Sequence, residues 1–201
     1  MKKQLLALSA GLMAVAGLRA QCSPISAPFI ETFTGTSAPA CWNTSYTAGD
    51  GWDFNPSSYN PGYEVQGTAD HTNGAVGDDF AFIDFSSPTD VNVVLESPEI
   101  DVTGITTPTL RFYHISHCVN NFANLAQHNE LNIEAWDGSA WVLVDLVQGE
   151  NGANWTDYYY DLTAYVYNTN FIKFRFRGEV GQNTNYAYYN DLLLDDVEIF
   201  D

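Results

Sequence analysis

The sequence predicts an all-β protein, a two-sheet antiparallel β-sandwich of the jelly-roll, concanavalin A-like kind. Three observations predict it. Apolar and polar residues alternate at period two through most of the chain, and no stretch sustains a helical period. The runs are short and are broken by Gly, Pro, Asn and Asp. Twelve Tyr, twelve Phe and five Trp supply the large side chains that two facing sheets bury between them. An open barrel is the competing architecture.

The elements follow in order. Residues 1–20 read as a secretory signal and are set aside: Lys2 and Lys3 are the charged start, Leu5 to Gly17 the apolar run, and Leu18-Arg19-Ala20 the cleavage site. That run is too short for a membrane span. The remaining 21–201 is expected to form one domain. Phe29 to Phe33 is the first strand. Trp42 and Trp52-Asp53-Phe54 lie in a loop-rich region with Pro56, Pro61 and Gly62. Phe80 to Phe85 and Val91 to Leu95 are strands, and Pro98 confines Ser97 to Ile100 to a sheet edge. Leu110 to Ser116 alternates Leu110, Phe112 and His114 against Arg111, Tyr113 and Ile115. Leu131, Ile133 and Ala135 share one face of a strand that turns at Asp137-Gly138 and returns as Trp141 to Val147. Trp155 to Asp161 is a further strand, with one helical turn over Leu162 to Tyr165. Phe171 to Arg177 turns Phe174 and Phe176 inward and Lys173, Arg175 and Arg177 outward. The last strand begins at Leu192, making roughly ten in all.

Charge bounds the function. Without the signal, four basic residues face 25 acidic ones, a net charge near −21. Such a field repels nucleic acid and anionic membranes and suits neutral glycans, cations or basic protein patches. Lys173, Arg175 and Arg177 are expected to pair with acids on neighbouring strands. In an exported chain Cys22 and Cys41 flank the first strand. A bridge between them closes a loop of about 20 residues and contributes on the order of 3 kcal/mol. Cys118 is left over as a buried thiol.

The last strand, Leu192 to Ile199, carries two adjacent carboxylates, Asp195 and Asp196. Strict alternation would put Leu193, Asp195, Val197 and Ile199 on one face, so an acid would accompany whichever face packs inward. A buried carboxylate needs a partner, and Ca²⁺ takes carboxylate oxygens. The competing reading is an edge strand whose acids are solvated. If the first and last strands adjoin, Glu31 approaches Asp195 or Asp196.

The chain resembles an extracellular MAM domain, and more closely MAM-like modules of secreted bacterial proteins. The matching pieces are Cys22 with Phe29-Ile30-Glu31; Cys41-Trp42; Trp52 with Phe54; Asp70-His71-Thr72 before Gly74; Leu95 with Ser97-Pro98 and Ile100-Asp101; Leu110 to Tyr113; Leu131-Asn132-Ile133; Trp155; Phe174-Arg175-Phe176; and Asp195-Asp196-Val197. Cys118 follows the Leu110 strand where the family's third cysteine precedes it, and no cysteine follows the last strand. The resemblance implies a binding or adhesion module with a structural cation near the opening Glu and closing Asp pair. The expected calcium ligands are therefore Glu31, Asp195 and Asp196, with Asp70 added.

Other chemistry is weaker. His114 and His117 face opposite sides of a strand, so zinc with Cys118 is not expected. His71 reads as a turn residue. No nucleophile elbow, phosphate loop or His-Glu-x-x-His is present. Alternation is expected to bury some of Tyr158 to Tyr160 and expose the others, while Tyr186, Tyr188 and Tyr189 among loop amides suit sugar stacking, protein contacts or a loop folded over its own sheet edge. The expected function is a secreted, non-enzymatic module that binds a glycan or protein at a bacterial cell surface. The alternative is an accessory module of a secreted glycosidase or protease.

Overall fold

The computed structural model describes residues 22–54, 68–75, 80–86, 90–116, 124–149, 152–182 and 184–201. The expected signal segment, Pro56, Pro61, Gly62, His117 and Cys118 lie outside the described residues. In chain order the strands are β1 (Ile25–Ser26), β2 (Phe29–Glu31), β3 (Asn43–Ser45), β4 (Ala81–Ile83), β5 (Val93–Glu96), β6 (Ile100–Asp101) and β7 (Thr109–Ser116). They continue as β8 (Glu130–Trp136), β9 (Trp141–Gln148), β10 (Gly152–Asp161), β11 (Phe171–Ile172), β12 (Phe174–Glu179) and β13 (Leu192–Phe200). The expected helical turn is a 3₁₀ turn at Thr163–Tyr165.

Two five-stranded sheets face each other. One runs β10-β7-β13-β2, with β4 also paired to β13; the other runs β3-β5-β12-β8-β9. Alternation supplies the facing surfaces. Leu110 and Phe112 of β7 meet Phe174 and Phe176 of β12, and the Phe112 and Phe176 rings lie edge to face at 4.9 Å. Leu131, Ile133 and Ala135 of β8 join the same core, as the sequence predicts. The sheets approach closely at Gly178, where a Cβ would lie 2.3 Å from Ile83 Cδ1. A side chain there would require the Ile83 methyl to move.

The outer face of β12 carries the cations. Lys173 pairs with Glu96, Arg175 with Glu134, and Arg177 with Glu134 at 3.0 Å and Glu179 at 2.5 Å. The expected cross-strand pairing is present.

Several expectations need correction. The Ser97–Ile100 segment is no edge: β6 lies between β1 and β11 in a third, small sheet. Pro98 precedes that strand, where its missing N–H costs no ladder bond. β1 and β3 were not expected from the sequence, because two or three residues are too few to show a period. Phe171 to Arg177 is two strands, broken at Lys173.

The Cys22–Cys41 disulfide forms as expected, with a Cα–Cα distance of 5.8 Å. Phe176 is fully buried between the sheets. Phe176→Ala should cost about 3–5 kcal/mol, read as a lower urea midpoint at unchanged slope. A loss below about 1 kcal/mol would mean that the two sheets do not pack through this ring.

Candidate functional site

The Phe29 strand expected to open the sandwich, β2, does adjoin the last: β2 pairs antiparallel with β13, Glu31 opposite Val197. β13 has β7 along one edge. Its other edge is shared, β4 taking Leu192 to Leu194 and β2 taking Val197 to Ile199. Asp195 and Asp196 fall between the two partners. The register with β7 also slips there, between Asp195 and Glu198, and Asp196 adopts a left-handed φ of 44°. This is a β-bulge, which re-aims side chains where pairing changes hands.

The bulge overturns the expected alternation. Leu192 and Leu194 face the main core before it, and Val197 and Ile199 after it. Leu193 packs instead in a second cluster with Phe80, Phe82 and Ile115. The acids therefore do not enter the sandwich core. They are nonetheless buried, Asp195 fully, because the segment Asp70 to Gly74 lies over them.

That loop is tied down by the acids. The His71 N–H donates to Asp195 Oδ2 at 3.0 Å, and Asp195 Oδ1 accepts the Asp196 N–H at 2.8 Å. Thr72 Oγ1 donates to Asp196 Oδ1 at 2.7 Å, and His71 Nδ1 lies 2.5 Å from Asp196 Oδ2. The His71 ring stacks on Tyr113 with centroids 3.5 Å apart and meets Trp155 edge-on at 6.2 Å. Trp155 Nε1 donates to the Ala69 carbonyl at 2.8 Å. Asp70 folds the loop on itself, accepting N–H groups of Thr72 and Asn73. His71 is thus more than a turn residue. Its partners lie over 120 positions away in the chain, beyond the reach of a local pattern.

Electrostatics follow from burial. Burial pushes the Asp195 carboxyl up to about 8, and the charges of Asp196 and Asp70 push the same way. The N–H groups of Asp196 and His71 oppose the rise. The structure thus brings Asp70, Asp195 and Asp196 into one charge environment. Glu31 makes its contact elsewhere: its Oε1 accepts the Phe33 N–H at 2.9 Å, and burial raises it from the ordinary glutamate range. Val197, not an acid, stands opposite Glu31, and the bulge turns the aspartates toward the 70–74 loop. Hard carboxylate oxygens around a buried, mutually repelling centre fit a hard cation. Among the described residues, however, no three His, Cys, Asp or Glu side chains converge as a ready metal cage. An ion there would have to replace the donors from His71 and Thr72.

His114 is a core residue. It is fully buried, its Nδ1 lies 2.7 Å from the Leu193 carbonyl, and burial lowers it to about 4. A second acidic spot went unnoticed in the sequence. Asp50, Asp53, Asp84 and Asp90 line one small depression, and burial raises Asp90 to about 6 although it accepts the Gly51 N–H.

An opening lies at the hairpin end of the charged sheet face. It has a volume near 460 Å³ and is lined by Trp136, Trp141 and Tyr167 with Glu96, Glu99 and Lys173. The rings of Trp136 and Trp141 meet edge to face at 5.5 Å. Of the tyrosines singled out in the sequence, Tyr158 and Tyr160 stack on Phe112 and Tyr159 is exposed. Tyr188 and Tyr189 lie 4.2 Å apart, and the Tyr186 side chain is outside the description.

The fold is shared with solved bacterial domains. The K1 cleaved adhesin domain of Lys-gingipain from Porphyromonas gingivalis W83 matches at TM-score 0.52 and 18% identity, over 86% of this chain and 96% of that one. The K3 cleaved adhesin domain from the same organism matches at TM-score 0.56 and 19% identity, over 86% and 98%. The K2 cleaved adhesin domain of Lys-gingipain matches at TM-score 0.54 and 18% identity, over 86% and 99%. At these identities the likeness is one of fold. No family model and no curated protein matches the chain.

The raised Asp195 value has a defined sign. Between the ordinary aspartate value of 3.8 and about 8, the folded chain keeps a proton that the unfolded chain has released. Stability therefore falls as pH rises through that window. In chelator, the melting temperature of the parent should fall across it more steeply than that of Asp195→Asn. The difference in unfolding free energy between the two should change by at least about 1–2 kcal/mol toward pH 8. Parallel curves for the two proteins would show that Asp195 is ionised at no cost.

Proposed function

We propose that this chain is a secreted, non-enzymatic recognition module that binds a glycan or a protein at a bacterial cell surface. The observation that carries this reading is the aromatic depression, where Trp136, Trp141 and Tyr167 stand beside carboxylates and an ammonium. Aromatic rings that offer both an apolar face and a polar rim are the usual furniture of recognition surfaces. Of its charged groups, Lys173 is paired with Glu96, and Glu99 accepts the Tyr167 hydroxyl. Further support comes from the fold likeness to adhesin domains. The disulfide suits an oxidising compartment. The N-terminal pattern of residues 1–20 and the MAM-like motif order point the same way.

Structural calcium belongs to the same proposal. Asp70, Asp195 and Asp196 would hold it, the charge on the ion offsetting their repulsion and fastening the 70–74 loop to β13. Glu31 would join only by giving up the Phe33 N–H.

Two measurements test the reading. On a glycan and surface-protein array, the parent should bind at least one probe. If calcium holds the loop, its melting temperature should be higher in calcium than in chelator, and Asp196→Ala should abolish the difference. Equal melting in both media would remove the ion from the account. Robust turnover of a glycoside or peptide, lost on a single acid substitution, would overturn the non-enzymatic reading.

A further inference from the structure

The 460 Å³ depression does not stand alone. A second depression, near 340 Å³, shares Glu99 and Lys173 with it and continues past Ser97 and Asn43 to the Cys22–Cys41 disulfide. Each volume falls in the range of about 300–1,000 Å³ typical of small-ligand sites. The two lie side by side, the first aromatic at the β8–β9 hairpin end and the second polar at the disulfide end, with Glu99 and Lys173 lining both.

The walls of the first depression are held rigid. At the hairpin tip, Asp137 Oδ1 accepts the N–H groups of Ser139 and Ala140, each at 2.8 Å. Gly138, at φ 97°, lets the tip close on Tyr167, where a Cβ would lie 3.2 Å from the Tyr167 Cβ. The Tyr167 hydroxyl donates to Glu99 Oε1 at 2.6 Å, which fixes both ring and carboxylate. The Arg175 guanidinium lies 4.4 Å from the Trp141 ring centroid and Lys173 Nζ 5.8 Å from it. Lys173 is in turn paired with Glu96. A site whose side chains are already ordered loses little entropy when it binds.

We propose that these adjoining depressions are the binding site of a neutral oligosaccharide chain, with one sugar stacked at Trp136 and Trp141 and the next units running past Glu99 and Lys173 toward Asn43. The proposal rests on the recognition reading above and narrows it to one ligand class. Three arguments select that class. A pyranose ring has an apolar C–H face for the indoles and a hydroxyl rim. Each hydroxyl both donates and accepts, so it satisfies carboxylate and ammonium alike and leaves the Glu96–Lys173 pair solvated in kind. An apolar peptide side chain would desolvate that pair without compensation. A polyanion would meet Glu96 and Glu99 on a chain of net charge −18, or near −21 without its first 20 residues. The lining shared at Glu99 and Lys173 makes the site longer than a single sugar, so affinity should grow with chain length.

The test uses the full chain and titrates it by calorimetry with neutral series of gluco-, manno-, galacto-, xylo- and chito-oligosaccharides, from monosaccharide to hexasaccharide. Heparin serves as the polyanionic control. One series should bind, more tightly as it lengthens, and heparin should neither bind nor compete. Trp141→Ala should weaken that binding about tenfold or more, with the melting temperature nearly unchanged. Glu99→Gln, which leaves the ring walls standing, should weaken it severalfold and covers the case in which the tryptophan variant is unstable. If the parent binds a neutral series and both variants bind it equally well, the depressions are not the site, although the recognition reading stands. If the parent binds surface proteins but no neutral glycan, the ligand class is wrong. If it binds neither, both readings fall.

Discussion

The constraint on which this structure turns is a carboxylate buried where a strand changes partners. β13 is the central strand of its sheet, yet neither β4 nor β2 is long enough to pair with the whole of its second edge. At the handover, Asp195 and Asp196 lack a strand partner on that edge. Their side chains do what a neighbouring strand would otherwise do: they recruit the 70–74 loop through the N–H of His71 and the hydroxyl of Thr72. An apolar pair there would leave that N–H without its acceptor, a cost of about 1–3 kcal/mol if it stayed buried. The acids are thus structural, fastening the 70–74 loop to the last strand.

The same constraint arranges the rest of the sheet. The bulge at Asp196 lets β13 serve two apolar clusters, the sandwich core through Leu192, Leu194, Val197 and Ile199 and the outer cluster through Leu193. The loop that covers the aspartates brings His71 onto Tyr113 and Ala69 onto Trp155. The opposite sheet carries ion pairs on its outer face, with Trp136 and Trp141 at its hairpin end. The division is physical. One sheet spends its polar groups on holding a loop, and the other on keeping a depression in shape.

Much of the fold was legible because period two is a strong signal where it runs for five residues or more. Leu131, Ile133 and Ala135, and Phe174 and Phe176, point where alternation sends them, and the cations between the phenylalanines find their acids across the sheet. The adjacency of the Phe29 strand and the last strand was legible as well. The bulge was not, since nothing in Leu-Asp-Asp-Val marks which residue will take a positive φ. The role of His71 was hidden by sequence distance. The depression was hidden for the same reason: Glu99, the Trp136–Trp141 hairpin, Tyr167 and Lys173 come from separate stretches that only the folded sheet brings together. The placement of Glu31 beside the aspartates was legible only as far as the strand pairing. The strands adjoin, but one residue of register puts Val197 where an acid was expected.

The central claim is that Asp195 holds the 70–74 loop against the last strand. Amide hydrogen exchange at His71 tests it most directly, because that N–H is the bond in question. The account predicts that the His71 amide is protected to a degree comparable with the amides of β13, and that Asp195→Ala releases it while the amides of β8 and β12 stay protected. Exchange of the His71 amide at the rate of an open loop in the parent protein would contradict it.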